Sequence, residues 1–234
     1  MDSPGKSVQL SRRTNKFNSI IMAKIAMGIL GGFSGKVGTV VGSIWKGIAT
    51  IRAYVANVTN PNTPAQLEQR AKFSLIGSFL KPLTSFLRVG FKSLAIKMTA
   101  YNAAMSYNLE NAVTGVYPSF TVDYSAVKVT SGNLPGALNA EIASATAGEV
   151  EFTWDDNSWD VGAEPLDKAM LVVYNPVKGM SVSVSGGNTR ASGSESVTVP
   201  ILFAGDQVQC YLSFANVNGA VCSDSQYVGA VAVV

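Results

Sequence analysis

Histidine is absent from all 234 residues of the chain. It is the side chain that most often transfers protons near neutral pH and most often binds transition metals. Its absence excludes the Ser-His and Cys-His nucleophile pairs and the histidine-containing zinc sites of many hydrolases. No lysine-based motif replaces it. We therefore predict a non-enzymatic protein that uses no cofactor and no metal.

Charge is also scarce, since Asp, Glu, Lys and Arg make up 14% of the chain against about 25% in a typical soluble domain. Apolar residues make up 47%. A chain of this length forms one large or two small domains and buries a core without disulfides. Its charge-poor surface offers apolar contact area to other chains. We expect a homo-oligomer.

Long apolar runs are missing. No stretch reaches the roughly 18 residues that cross a bilayer, so we predict no transmembrane helix. The start resembles a secretory signal only superficially, because Lys24 interrupts its apolar run and no convincing cleavage site follows. A simpler interpretation makes Met22 the true start and residues 1–21 a disordered extension. The compartment stays open, with a virion or cytoplasmic assembly favoured over secretion or the cell surface.

The chain has two cysteines, Cys210 and Cys222. The Asn-Gly pair at residues 218–219 predicts a two-residue hairpin turn, which would pair Cys222 with Ala215 and Cys210 with Tyr227. The two sulfurs would then lie on opposite faces of the hairpin. We predict two free thiols, with Cys210 facing the core.

The charges that are present are segregated. Residues 1–118 contain 14 basic and 3 acidic side chains, a net +11, whereas residues 119–234 contain 4 basic and 12 acidic side chains, a net −8. Such asymmetry indicates contact with nucleic acid or membrane, or head-to-tail self-association. Internal neutralisation of the two halves is an equally weighted alternative.

Residues 22–118 predict a basic hairpin followed by helices. Alternating β-branched and aromatic residues over Val37–Val58 predict a β-hairpin. Thr63, Pro64 and Gln66 predict a capped helix start. Three helices are expected, over residues 63–82, 83–97 and 99–113.

The predicted helices carry many cations. We predict that these form a surface for electrostatic assembly or nucleic-acid binding, although a solvated helical face is the simpler alternative. The residues are Arg70, Lys72, Lys81, Arg88, Lys92 and Lys97.

Residues 119–234 predict an acidic β-sandwich of the immunoglobulin or fibronectin kind, which makes the whole chain α+β. Trp154 is the expected core residue, and Pro200 indicates an edge or bulged strand. Glycine and serine clusters at residues 186–188 and 192–194 predict a flexible loop. Seven strands are expected, over residues 120–129, 149–154, 169–174, 181–185, 196–203, 207–215 and 220–233.

Two sequence patterns partly match known binding or catalytic motifs. The segment Gly32–Val37 resembles a phosphate-binding loop, but Leu30 replaces its first glycine and Val37 its hydroxyl residue. An acidic cluster could hold calcium or supply a carboxylate pair for glycoside cleavage. Its spacing does not match a helical calcium loop, and a solvated loop is favoured. The cluster comprises Asp155, Asp156, Asp160, Glu164 and Asp167.

Several short motifs occur in a recognisable order. They are Gly35–Gly38, Trp45–Gly47, Asn60–Phe73, Tyr101–Ala104 and Asp123–Ser125. From Met22 onward the chain resembles an uncharacterised protein family common in Bacteroidota. The Asn60–Phe73 segment also resembles stretches of bacteriophage structural proteins. The resemblance implies a specific architecture of unknown role, associated with virions, and it supplies no catalytic residue.

Together these patterns predict a non-enzymatic structural subunit that self-associates, as a phage or phage-derived virion component. Its basic half would face nucleic acid or the acidic half of a neighbouring copy. The alternative is a secreted or cell-surface binding module whose sandwich loops bind a glycan or a protein.

Overall fold

The computed structural model describes residues 22–24, 33–57, 60 and 62–234. Contacts divide the chain into two compact units, Met1–Asn60 and Pro61–Val234. The boundary predicted after residue 118 falls within the second unit. The helices before that residue share a hydrophobic core with the strands after it. The predicted extension, residues 1–21, lies outside the described residues.

The described part of the first unit is an antiparallel sheet with the strand order β1-β4-β3-β2. Lys46 and Gly47 form the two-residue turn between β3 and β4, and both have positive φ, at 46° and 78°. A turn of this kind needs positive φ at both positions, so the predicted hairpin is confirmed. The strands are β1 (Met22–Lys24), β2 (Gly35–Val37), β3 (Val40–Trp45) and β4 (Ile48–Ala53).

The second unit begins with three helices, α1 (Pro64–Leu80), α2 (Thr84–Gly90) and α3 (Ala100–Asn111). The hydroxyl of Thr63 accepts a hydrogen bond from the Gln66 N–H at 3.4 Å, and Pro64 occupies the first turn. The predicted start of α1 is therefore confirmed.

Helix α2 ends earlier than the sequence predicts. The carbonyl of Gly90 accepts a hydrogen bond from the Ser131 N–H at 2.9 Å instead of continuing the helix. A Cβ at Gly90 would meet the Val129 carbonyl at 2.7 Å. This close approach of two backbones terminates the helix and leaves residues 91–99 as a connector to α3.

Two sheets enclose the main β core of the second unit, with the strand orders β10-β9-β12-β13 and β11-β8-β7, and every pairing is antiparallel. A separate hairpin, β5-β6, precedes them. The strands are β5 (Val113–Val116), β6 (Ser119–Val122), β7 (Leu138–Ala143), β8 (Glu149–Asp155), β9 (Lys168–Asn175), β10 (Met180–Thr189), β11 (Ser194–Thr198), β12 (Gln207–Ala215) and β13 (Gln226–Ala232).

Strand β9 is buried on both faces because different layers cover each side. Leu171 and Val173 contribute to the core between the two sheets. Met170, Val172 and Tyr174 face a second core that includes the helices. The α+β prediction is thus confirmed as a mixed architecture in which helices, sheet and sheet form three layers.

Three strand predictions differ from the structure. Strand β7 was not expected, because its alanine, asparagine and glutamate have low strand propensity. The strand predicted over residues 120–129 stops at Val122, where Asp123 begins a turn by accepting a hydrogen bond from the Ser125 N–H at 3.0 Å. Pro200 lies beyond the end of β11 and starts a short 3-10 turn.

The hairpin that contains the cysteines departs from a simple two-residue register. Ala215 lies opposite Cys222, as predicted. A bulge in β12 then places Cys210 opposite Gly229 rather than Tyr227, so that pairing was wrong. Both thiols are free and buried, and Cys210 lies in the core between the sheets.

Candidate assembly surfaces

Two of the six predicted surface cations on the helices are engaged locally. Arg70 donates a hydrogen bond to the amide oxygen of Asn62 at 3.0 Å. Lys72 forms an ion pair with Glu68 at 2.7 Å, and its ammonium lies 4.9 Å from the centre of the Phe120 ring. These contacts stabilise the helix surface and leave less free charge there than the sequence suggested.

The other four cations follow the end of α1. Lys81 caps this helix, Arg88 lies in the last turn of α2, and Lys92 and Lys97 belong to the connector. All four side chains are exposed, and none forms an ion pair with a described carboxylate. Of the six predicted cations, these four, in α2 and its flanking segments, have no ion pair with the carboxylates that the structure describes.

Three members of the predicted acidic cluster contact different partners. Asp155 accepts a hydrogen bond from Asn139 at 2.8 Å, and Asp160 accepts one from Asn157 at 2.8 Å. Asp167 is buried and pairs with an arginine. Among the described residues, no group of three or more side chains is arranged to hold a metal ion.

The partner of Asp167 is Arg190, which is completely buried. Its guanidinium donates to Asp167 at 3.2 and 3.3 Å, to the Asn157 amide oxygen at 2.7 Å, and to the carbonyls of Pro135 and Gly136 at 3.0 and 3.1 Å. Burial lowers the pKa of Arg190, while Asp167 opposes that effect. A guanidinium has five N–H donors, and these acceptors satisfy them.

The Arg190 site was missed by the sequence analysis. The backbone carbonyl of Arg190 accepts a hydrogen bond from the Trp154 indole at 2.7 Å, and its guanidinium lies 3.9 Å from the centre of the Phe214 ring. The segment 186–194, predicted as a flexible loop, is therefore attached to the core at Arg190, and its residues 186–189 belong to strand β10. The sequence feature that could have indicated this site is a single arginine within a segment rich in glycine and serine.

The arginine network positions the β8–β9 connection, residues 156–167, which we call the acidic loop. Its apolar side chains point outward: Trp159 is 72% exposed, Val161 100% and Leu166 61%. Monomeric proteins rarely expose contiguous apolar groups without a binding role. The acidic loop thus combines a fixed base with an apolar tip.

The cysteines offer no reactive thiolate. Burial raises the pKa of the Cys210 thiol to about 12. Burial also raises the pKa of Cys222, partly offset by a hydrogen bond with the Ser131 backbone. A thiolate is the nucleophilic form of cysteine, so both residues act as small core side chains.

The sheet of the first unit exposes much of its apolar surface. Val37 is 65% exposed, and Ile44 and Trp45 are about half exposed. Among the described residues of β2, β3 and β4, only Gly42 is buried. A Cβ at Gly42 would clash with the carbonyl and ring of Phe33, so glycine is required for that contact.

The segment that resembles a phosphate-binding loop forms part of this sheet. Residues 35–37 are strand β2, and Gly38 turns the chain into β3 with a φ of 58°. A phosphate-binding loop must instead lead into a helix. Residues 28–32 lie outside the described residues.

A depression of about 430 Å³ lies on α1 and is lined by Gln69, Arg70, Phe73 and Ser74. Arg70 is the one titratable group among these lining residues. The arrangement lacks the convergent acid, base and nucleophile that a catalytic site requires. None of the helices in the described part of the chain has both the length and the apolar character needed to span a membrane.

The fold and these surfaces describe a mixed α and β protein in which helices cover one face of a two-sheet β core. The model of a family of unknown function, DUF6266, matches residues 32–229. The chain therefore belongs to the DUF6266 family, and the predicted resemblance to an uncharacterised family is confirmed at that level.

Comparison with curated proteins finds no match. Among solved structures, the fn3 domain of the human collagen alpha-1(XX) chain is similar at 16% identity and a TM-score of 0.32. The similarity covers 44% of this chain and 88% of that domain.

Proposed function

We propose that this protein is a non-enzymatic structural subunit that assembles with copies of itself through the sheet β1–β4. The observation that carries the proposal is the apolar exposure of Val37, Ile44 and Trp45 in strands β2–β4, where glycine is the one buried residue among those described. A small sheet becomes stable when one face is packed. A neighbouring copy would supply that packing.

Charge supports the same proposal. Residues 1–60 contain 8 basic and 1 acidic side chain, a net +7, and residues 61–234 contain 10 basic and 14 acidic side chains, a net −4. Lys36 lies 3.5 Å from the centre of the Tyr54 ring, which adds a cation to the aromatic surface of the sheet. The first unit of one copy is therefore electrostatically suited to the second unit of another.

The resemblance of residues 60–73 to bacteriophage structural proteins supports a phage or phage-derived particle as the assembly. Such a particle would be visible by negative-stain microscopy of the purified full chain. Nucleic acid retained at low salt and released at high salt would identify the basic side chains as its contact.

The test compares masses by sedimentation velocity. The full chain should form species larger than the 24.5 kDa monomer. Ile44→Ser combined with Trp45→Ser should remove the largest species, because it removes apolar contact area from the sheet. A matched control, Val177→Ser with Ile201→Ser, changes two exposed apolar residues of the second unit and should leave assembly intact.

A full chain that is monomeric at every concentration would contradict the proposal. So would a sheet variant whose mass distribution equals that of the unmodified chain. Circular dichroism of both variants should show the second unit folded, since no changed side chain is buried there.

A further inference from the structure

Several segments of the second unit combine exposed apolar side chains with charge of one sign, and two of them carry opposite charges. One is the acidic loop, residues 156–167, with Trp159 and Val161 at its tip. The other is the connector between α2 and α3, residues 91–99, where Leu94 is 48% exposed and Ile96 is 73% exposed. We call this second segment the basic connector, because it also carries exposed Lys92.

The acidic loop is built to hold its tip in place. Its backbone forms successive turns, in which Asp160 N–H donates to the Asn157 carbonyl at 3.0 Å and Ala163 N–H donates to the Asp160 carbonyl at 2.9 Å. The Arg190 network fixes both the Asn157 side chain and Asp167. An anchored loop loses little conformational entropy when it binds.

The basic connector is anchored in a similar way. Phe91 is fully buried, and the Ser93 hydroxyl donates to the Ser131 carbonyl at 3.3 Å. The N–H of Leu94 donates to the Phe91 carbonyl at 3.2 Å. The first part of the basic connector, which leads to Ile96, is therefore held against the core.

The two segments are complementary in charge. No lysine or arginine occurs between Lys128 and Lys168, and no aspartate or glutamate occurs between Glu68 and Glu110. Lys92 forms no ion pair with any described carboxylate, and neither does Lys97. Among the described residues, Lys92 and Lys97 therefore have no ion-pair partner, and neither do Asp156, Asp160 and Glu164 of the acidic loop, whereas Asp167 of that loop is paired with Arg190.

We propose that the acidic loop of one copy docks on the basic connector of a second copy. Trp159 and Val161 would pack against Leu94 and Ile96, and the carboxylates beside the tip would pair with the lysines at the rim. Apolar centres with a charged rim are the usual anatomy of a specific interface.

The fold allows both contacts to form at once. The Gly90 carbonyl, where the basic connector begins, accepts a hydrogen bond from the Cys222 thiol at 3.1 Å. Cys222 pairs with Ala215, which pairs with Lys168, the residue after the acidic loop. The start of the basic connector and the end of the acidic loop therefore lie near the same end of β12, and we place the proposed two-fold axis there, so that each loop meets the partner's connector.

This inference rests on the proposed self-association and adds an interface distinct from the sheet. It is tested in the sheet variant Ile44→Ser with Trp45→Ser, where only the new interface is expected to operate. That variant should sediment as a dimer at about 50 mM salt and dissociate toward monomer at about 500 mM, because exposed charge pairs are screened.

Two charge-reversed chains then provide the decisive comparison. The connector variant carries Lys92→Glu and Lys97→Glu, and the loop variant carries Asp160→Lys and Glu164→Lys, each in the sheet variant. Each alone should raise the dimer dissociation constant at least about tenfold, since like charges then face each other. An equimolar mixture should restore the dimer, because opposite charges face each other at both contacts.

Two further variants separate the apolar contribution to the dimer from general effects of charge reversal. Trp159→Ser with Val161→Ser removes apolar area without changing charge and should also weaken the dimer. Lys178→Glu reverses a cation outside both segments and should leave it unchanged. Thermal melting of each variant should show a folded second unit.

Reversed variants that dimerise as before would overturn the proposed interface, and so would a mixture that stays monomeric. A sheet variant that is monomeric at low salt, from a full chain that assembles, would overturn this interface alone and leave the proposed function standing. A monomeric full chain would contradict both.

Discussion

The first and second units differ in how their apolar residues are used. In the described part of the first unit, the strands leave Val37, Ile44 and Trp45 at the surface. In the second unit, two cores bury residues from helices and from both sheets. The second unit therefore has cores that stabilise it, whereas the described strands of the first unit leave much of their apolar surface exposed.

Burial determines how much the side chains of each unit contribute to the free energy of unfolding. Fully burying a large aliphatic or aromatic side chain contributes about 1.5–3 kcal/mol. Leu87, Phe152 and Leu171 are among many second-unit side chains with no exposed surface, while the sheet β2–β4 buries one glycine. Substitutions in the two units should therefore affect unfolding very differently.

The largest expected effect is at Arg190. Replacement by methionine removes the guanidinium and leaves Asp167, which is 2% exposed, without its counter-ion. Breaking one side of a buried ion pair costs about 3–5 kcal/mol. Urea unfolding followed by circular dichroism measures the loss.

The matched control for that change is Arg88→Met, at an exposed arginine of α2. It should alter the free energy of unfolding by no more than about 0.5 kcal/mol. Equal losses from the two substitutions would show that the Arg190 network is not what stabilises the second unit.

The next effect compares the two units directly. Leu87→Ala leaves a cavity in the core between helices and sheet, and should lower the free energy of unfolding by about 3 kcal/mol. Ile44→Ala on the exposed sheet should change it by less than about 0.5 kcal/mol. If Ile44→Ala lowers the free energy of unfolding as much as Leu87→Ala, the sheet of the first unit has a core of its own.

A smaller effect, and a pH dependence, comes from Asp224. Burial acts to raise its pKa, but hydrogen bonds from Lys128 at 2.5 Å, Ser131 and the Gly132 N–H together lower it. A pKa below the unfolded value of 3.8 stabilises the fold above that pH, and this contribution is lost as the pH falls through the folded pKa.

Asp224→Asn should therefore lower the free energy of unfolding at pH 7 by about 1 kcal/mol, a modest value because the carboxylate is half exposed and screened. Below about pH 3, where the carboxylate is protonated, Asp224→Asn and the unmodified chain should have the same free energy of unfolding. A difference that persists at low pH would show that the loss comes from packing rather than from charge.

The smallest effect should come from the ion pair between Lys72 and Glu68 on α1. Both side chains are partly exposed, so Lys72→Met should cost at most about 0.5 kcal/mol. A double-mutant cycle with Glu68→Gln isolates the pair. A coupling above about 1 kcal/mol would show that the helix surface contributes more to the second unit than its burial indicates.

Much of the local structure could be predicted because it depends on neighbouring residues. Thr63 and Pro64 favour a helix start before an apolar stripe, and β-branched residues favour the strands of the first hairpin. The turn of that hairpin, Lys46-Gly47, was not predicted, because its residues fit the same alternation as the strands. Strand β7 could not be predicted, since its residues have low strand propensity and pair through their backbones with β8.

Some features of the candidate surfaces could also be predicted from the sequence, and others could not. The segregation of charge was readable from residue order, and so were the exposed cations of α2 and the acidic loop. The role of Asp167 was not, because its partner Arg190 is 23 residues away in sequence. A cluster that suggested a solvated loop or a calcium site contains one member of a buried ion pair instead.

The sequence alone determined the mixed architecture, the hairpin and helix starts, and the basic and acidic halves, because propensity, turn chemistry and charge are properties of nearby residues. Only the tertiary structure decided that the helices join the β core, that α2 stops where Gly90 meets Val129, and that Arg190 is buried. These outcomes depend on backbones and side chains from distant segments meeting at close range, which residue order does not specify.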